Sequence, residues 1–176
     1  VQNNFNIDLI KPKNKFALHL ALYPYCFSYE NSKTTDAPLF ILMGDKDYLP
    51  PSICEEYIKV QKDNGKTNKE IIVFPNTTHS YDKSGSGYVD GSIVDPQCRI
   101  YTDNNGNEWV RPNDPAKWFN LTANGGWFGK KGETKLHQNV LRLCWGYGAS
   151  LTERNDYAYQ QTMKIFKDSI EKYLLN

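Results

Sequence analysis

Residues 16–24, FALHLALYP, form a nearly continuous apolar run that ends at a proline. Residues 39–45, LFILMGD, form a second, opened by Ala37-Pro38 and stopped at Gly44. Residues 70–76, EIIVFPN, form a third. A strand with one face in water alternates apolar and polar positions. Short runs without alternation predict strands buried on both faces, as in a parallel sheet. Between the second and third runs, 51–64 reads PSICEEYIKVQKDN, followed by Gly65. Pro51 suits a first helical turn, Ser52 with Glu55 has capping-box spacing, and Gly65 suits a helix stop. Ile53, Tyr57 and Val60, flanked by Cys54 and Ile58, make one apolar stripe at helical spacing. Strand, helix, strand is a βαβ unit, so its strands are expected to run parallel.

Near the end of the sequence, 155–174 reads NDYAYQQTMKIFKDSIEKYL. Asn155 or Asp156 can cap it, and Tyr159, Met163, Phe166, Ile170 and Leu174 recur at helical spacing. This predicts one long amphipathic helix packed on the sheet. Residues 80–150 differ in character: they hold ten of the twelve glycines and all four tryptophans, Trp109, Trp118, Trp127 and Trp145. Within them RIYTDNNGNEWVRP predicts two short strands around an Asn/Gly turn. Asp103, Asn105 and Asn107 lack the glycine position and closing acid of a calcium loop, so no metal is expected there. The expected class is therefore α/β: a partial parallel sheet with flanking helices over 1–79 and 151–176. Residues 80–150 form an irregular insertion, expected to pack as a lid or shoulder beside the sheet edge that it leaves.

Across 176 residues, 21 Lys+Arg balance 20 Asp+Glu, a net charge of +1. Binding to polyanions needs a clustered basic excess, so a nucleic-acid partner is not expected. A mean hydropathy of −0.66 and the lack of a long apolar run argue against a membrane span. Residues 1–15 carry no signal-peptide pattern, although a precursor could lose one before position 1. The four cysteines, Cys26, Cys54, Cys98 and Cys144, form no close CxxC pair, which disfavours zinc. Their even count and their regional grouping predict disulfides 26–54 and 98–144, and with them a secreted or periplasmic location. The alternative is four buried thiols in a cytoplasmic protein. Asn76-Thr77-Thr78 and Asn120-Leu121-Thr122 are glycosylation-type triplets, which matter only in a secreting eukaryote.

The candidate chemistry lies at one sheet edge. Asp47 falls in GDKDYLPP, just after the second strand, and His79 in NTTHSYD, just after the third. Neighbouring parallel strands lie about 4.8 Å apart, so both residues belong to the carboxyl ends of adjacent strands. Open α/β sheets bind ligands at that edge. An aspartate there can hold one imidazole nitrogen and leave the other as a base. The order acid, then histidine, is that of the last two members of a Ser…Asp…His triad. Tyr48, Ser80 and Tyr81 flank the pair and are expected to line a substrate.

With these residues in place, LALYPYC, APLFILMGDKDYLPPSICEEYI and EIIVFPNTTHSYD together resemble the C-terminal half of the dienelactone hydrolase family of α/β-hydrolases. In that family a strand ends in a YP-type turn. A GxxD loop carries the triad acid, and an H-x-[FY] loop carries the triad histidine. The resemblance covers residues 16–82, and 155–174 more loosely as the family's closing helix. It implies that Asp47 is the triad acid and His79 the triad base of an ester or lactone hydrolase that needs no cofactor. The family's nucleophile, Ser or Cys, sits on a G-x-[SC]-x-G elbow upstream of the YP strand. The fifteen residues before Phe16 contain no Ser, Cys or Gly, and the G-S-G at 85–87 lacks a strand–turn–helix context. Cys26 is expected to be structural, paired with Cys54. The nucleophile is thus expected outside this chain, on an upstream fragment of the same protein, and the chain alone is expected to be inactive. The alternative is a non-catalytic α/β domain that binds carbohydrate or protein through its aromatic insertion.

Overall fold

The computed structural model describes residues 16–26, 28–30, 35–90, 93–94, 98–102, 105, 107–111, 118–120, 123, 145–146 and 149–175. In chain order the elements are β1 (His19–Leu22), β2 (Ser28–Glu30), β3 (Leu39–Gly44), α1 (Pro51–Asp63), β4 (Lys69–Phe74), β5 (Ser86–Asp90), β6 (Ile93–Val94), β7 (Arg99–Thr102), β8 (Glu108–Arg111), β9 (Phe119–Asn120), β10 (Trp145–Gly146), β11 (Ala149–Glu153) and α2 (Asp156–Leu174).

The three apolar runs form one parallel sheet in the order β1-β3-β4, with His19 level with Leu39 and Leu39 level with Lys69. The missing alternation has the expected cause. Leu39, Ile41 and Met43 cluster with Ile53, Cys54, Tyr57 and Ile58 of α1. Leu42 faces the other way, into a cluster with Phe74, Tyr81 and Ala158 of α2. Both faces of β3 are therefore covered, and the fold is α/β.

Helix α1 begins without the expected capping box. Its N-cap is Pro50, and no side chain caps it. A proline disfavours the α region in the residue before it, so Pro51 keeps Pro50 extended (ψ 126°) and the helix starts at Pro51 itself. Ser52 then lies inside the first turn. The stop is as expected. Gly65 takes φ +81°, its N–H donates to Lys62 carbonyl at 2.9 Å, and Lys66 N–H reaches Gln61 carbonyl at 2.9 Å. This is a Schellman ending, which needs a left-handed residue.

Helix α2 is capped by Asn155, whose side chain accepts from Ala158 N–H at 3.1 Å. Of the expected stripe, Phe166 packs against the Leu42 cluster and Tyr159 is half-buried, but the most deeply buried positions lie one residue earlier. Ala158, Thr162 and Ser169 are buried, whereas Met163, Ile170 and Leu174 are exposed. Small side chains at the centre let the helix approach closely, and Tyr81 satisfies the Thr162 hydroxyl at 2.9 Å.

The insertion leaves and returns side by side. β5 and β11 pair antiparallel, Ser86 with Glu153 through Asp90 with Ala149. The expected hairpin is β7–β8, extended by β9 and by β2, which pairs parallel with β7. Cys98 and Val110 pack among Cys26, Leu49 and Ile58 on the α1 side. Trp109 is half-buried and Trp118 is 45% exposed; Trp127 and the Trp145 side chain lie outside the described residues, as does Asp103. Among the described residues no helix is long and apolar enough to cross a membrane. Cys26 and Cys54 form a disulfide. Cys98 is disulfide-bonded too, and Cys144, the partner expected for it, lies outside the described residues.

Candidate active site

The loops after β3 and β4 are stitched together before they reach Asp47 and His79. Asp45 N–H donates to Phe74 carbonyl at 3.0 Å and Lys46 N–H to Thr77 carbonyl at 2.9 Å. Asp45 Oδ1 in turn accepts from Thr77 N–H at 3.0 Å. Burial pushes the Asp45 carboxyl up, but the Thr77 and Asn76 amides and nearby Lys46 more than reverse this, and its pKa lies below the ordinary value. Residue 44 must be glycine for this seam, because a β-carbon there would stand 1.9 Å from the Thr77 carbonyl oxygen.

The seam brings the two expected residues into contact. His79 Nδ1 lies 2.9 Å from Asp47 Oδ1 and 3.1 Å from Oδ2. The Asp47 side chain has no exposure, and Oδ1 also accepts from Leu49 N–H at 2.8 Å. An ionised carboxylate can only accept, so Nδ1 carries the proton and the Nε2 lone pair is the basic site. The His79 side chain keeps 13% of its surface exposed, enough for one ring edge to meet a ligand. Among the described residues, its hydrogen-bond partner is Asp47.

Two tyrosine rings pack against the imidazole. The Tyr48 ring centroid is 4.3 Å from that of His79, and the Tyr23 centroid 4.4 Å. Tyr23 follows β1 directly, with φ +36°, and its hydroxyl donates to Asp82 Oδ1 at 2.9 Å. Burial, with the Asp82 carboxylate beside it, pushes the Tyr23 phenol up to about 12, so it stays a donor at neutral pH. Burial raises Tyr48 as well, helped by Asp47. Among the described residues, the non-glycine residues with positive φ are Tyr23, Asn76 and Ser80, all at this edge. Such strain persists only where surrounding contacts enforce it.

The segment that returns from the insertion buttresses the histidine loop. Glu153 N–H donates to Thr78 Oγ1 at 2.9 Å, Asn155 N–H to Tyr81 carbonyl at 3.1 Å, and Arg154 Nη1 to Asp82 carbonyl at 2.6 Å. Asn155 Nδ2 also donates to Thr77 Oγ1 at 2.8 Å.

Of the expected lining residues, Tyr48 does meet His79 and Ser80 is half-buried in its loop. Tyr81 does not line the site. It has no exposed surface, packs edge-on against Phe74 and shares a hydrogen bond between its hydroxyl and that of Thr162. Tyr81 instead anchors the histidine loop from the core, in the cluster of Leu42, Phe74 and Ala158. Sequence reading missed Tyr23 and Asp82. Both lie within the motifs YP and HSYD, but no local spacing shows that residues 59 apart are paired. Among the described residues no cluster of three or more His, Cys, Asp or Glu side chains could hold a metal. No protein-family model, no curated protein and no solved structure matches the chain.

Proposed function

We propose that this chain is the acid–base half of an acyl hydrolase of the dienelactone hydrolase type, acting on a small ester or lactone. The observation that carries the reading is the Asp47–His79 hydrogen bond at the carboxyl ends of adjacent parallel strands, which leaves Nε2 as the basic atom. The nucleophile, a Ser or Cys on a strand-to-helix elbow, belongs to sequence outside these 176 residues. His79 Nε2 takes its proton as the oxygen or sulfur attacks the acyl carbon. The imidazolium then returns that proton to the leaving alkoxide as the C–O bond breaks. Water repeats the cycle to release the acid. Asp47 holds the ring and stabilises the imidazolium. The reading needs no metal or organic cofactor. It places the protein in an oxidising compartment, secreted or periplasmic, for which the Cys26–Cys54 disulfide is the support.

The test is ester hydrolysis by the polypeptide encoded by the complete reading frame, wild type against His79→Ala. Near-complete loss of turnover in a folded variant is expected. Unchanged turnover would remove His79 from the chemistry, and no turnover by the folded wild type would favour a binding role for the insertion with its exposed Trp118.

A further inference from the structure

We infer that Tyr23 is a positioning residue: locked by Asp82, its ring packs against His79 together with that of Tyr48 and holds the imidazole with Nδ1 on Asp47. The inference rests on the acyl-hydrolase reading and adds to it a residue just past the end of a third strand. The two ring centroids lie 4.4 and 4.3 Å from the imidazole, near the closest separations of paired aromatic rings. An imidazole held by one hydrogen bond can still swing about its own χ angles, and two rings packed against it restrict that freedom.

The two rings are held differently. Tyr48 is next to Asp47 in sequence and arrives with it. Tyr23 comes from the end of β1 and is fixed at both ends. Its N–H donates to Leu42 carbonyl at 2.8 Å and its hydroxyl to Asp82 at 2.9 Å. Asp82 is itself fixed, because Arg154 Nη1 holds its carbonyl at 2.6 Å. Tyr23 also meets Tyr81 edge-on, with centroids 5.8 Å apart. A bulky residue at φ +36° is a costly conformation, and here it is the one that turns the ring onto His79.

The experiment needs no substrate. Ring 15N shifts of the labelled chain report the His79 tautomer, and solvent exchange of the Nδ1 proton reports how firmly the ring is held, with His19 as the internal control. Wild type is expected to show one tautomer, protonated at Nδ1. Tyr23→Leu should mix the tautomers and speed Nδ1 exchange at least about fivefold, the factor matching a ring contact of about 1 kcal/mol. Tyr23→Phe and Asp82→Asn keep the ring and release its anchor, so each should speed exchange less, by roughly twofold to fivefold. These two variants decide the matter if Tyr23→Leu does not fold. Wild-type exchange and tautomer in both would overturn the inference and leave the Asp47–His79 reading standing. A wild-type His79 protonated at Nε2 would overturn the inference and that reading together.

Discussion

Gly44 and the Thr77 carbonyl touch backbone to backbone, so closely that a β-carbon on residue 44 would lie 1.9 Å from the oxygen. This contact sits at the level where β3 and β4 end and their loops begin, three residues before Asp47 and two before His79. Gly44→Ala is therefore expected to cost about 3 kcal/mol or more, since backbone cannot yield as a flexible side chain does. Urea unfolding measures the loss. A variant within about 0.5 kcal/mol of wild type, the range of an ordinary surface substitution, would show that the seam is not needed.

On the acyl-hydrolase reading, His79→Ala in the polypeptide of the complete reading frame should lower kcat by about six orders of magnitude, and Asp47→Asn by about four, because the amide supports the wrong tautomer. KM should move little in either. Residues 1–176 alone, verified by mass, should hydrolyse activated esters little faster than buffer does. Robust turnover by that chain would reveal a nucleophile within it.

Asn155 serves three partners through two atoms. Its Oδ1 caps α2, and its Nδ2 donates to Thr77 Oγ1 and to the Asn76 carbonyl. Asn155→Asp keeps the cap and loses the donor; Asn155→Ala loses both. The expected costs are about 1 and about 2 kcal/mol respectively, read from chemical denaturation. Equal costs for the two variants would contradict the division of labour.

The Cys26–Cys54 disulfide closes a sequence separation of 28 residues between the end of β1 and α1. Chain entropy makes such a link worth about 3–4 kcal/mol. Reduction should lower the urea midpoint accordingly, and the unfolded, unreduced chain should show no reactive thiol at Cys26, Cys54 or Cys98. Thiol counting with peptide mapping checks both expectations.

Alkaline pH should loosen the site from within. Burial raises Tyr23 and Tyr81 to about 12 in the folded chain, against about 10 when unfolded. Below about 10 both states keep their protons and stability is unaffected. Between about 10 and 12 the unfolded chain releases protons that the folded chain keeps, so stability falls as pH rises. Unfolding near pH 11 should release about two protons from this pair, and about one in Tyr23→Phe. Urea midpoints from pH 9 to 12, followed by tyrosinate absorbance, report the difference. A midpoint that stays level over that range would count against buried phenols.

The residues alone were enough for whatever is decided over a few neighbours. Unalternating apolar runs marked the three sheet strands, and Pro51 with Gly65 marked the ends of α1. An Asn/Gly turn marked the β7–β8 hairpin, and strand order put Asp47 and His79 at one edge. Periods of two and 3.6 residues are local properties of the backbone, so they show in a single sequence. Tertiary structure decided the rest. The phase of the α2 stripe depended on Thr162 finding Tyr81, which is 81 residues away. Pro50 became a cap because its neighbour is another proline, against a capping-box pattern that also fitted. The fit of the Gly44 seam, the burial of Tyr81 and the Tyr23–Asp82 lock arise only when loops from different strands meet. Their energies belong to pairs that share no period along the chain, so no periodic pattern could announce them.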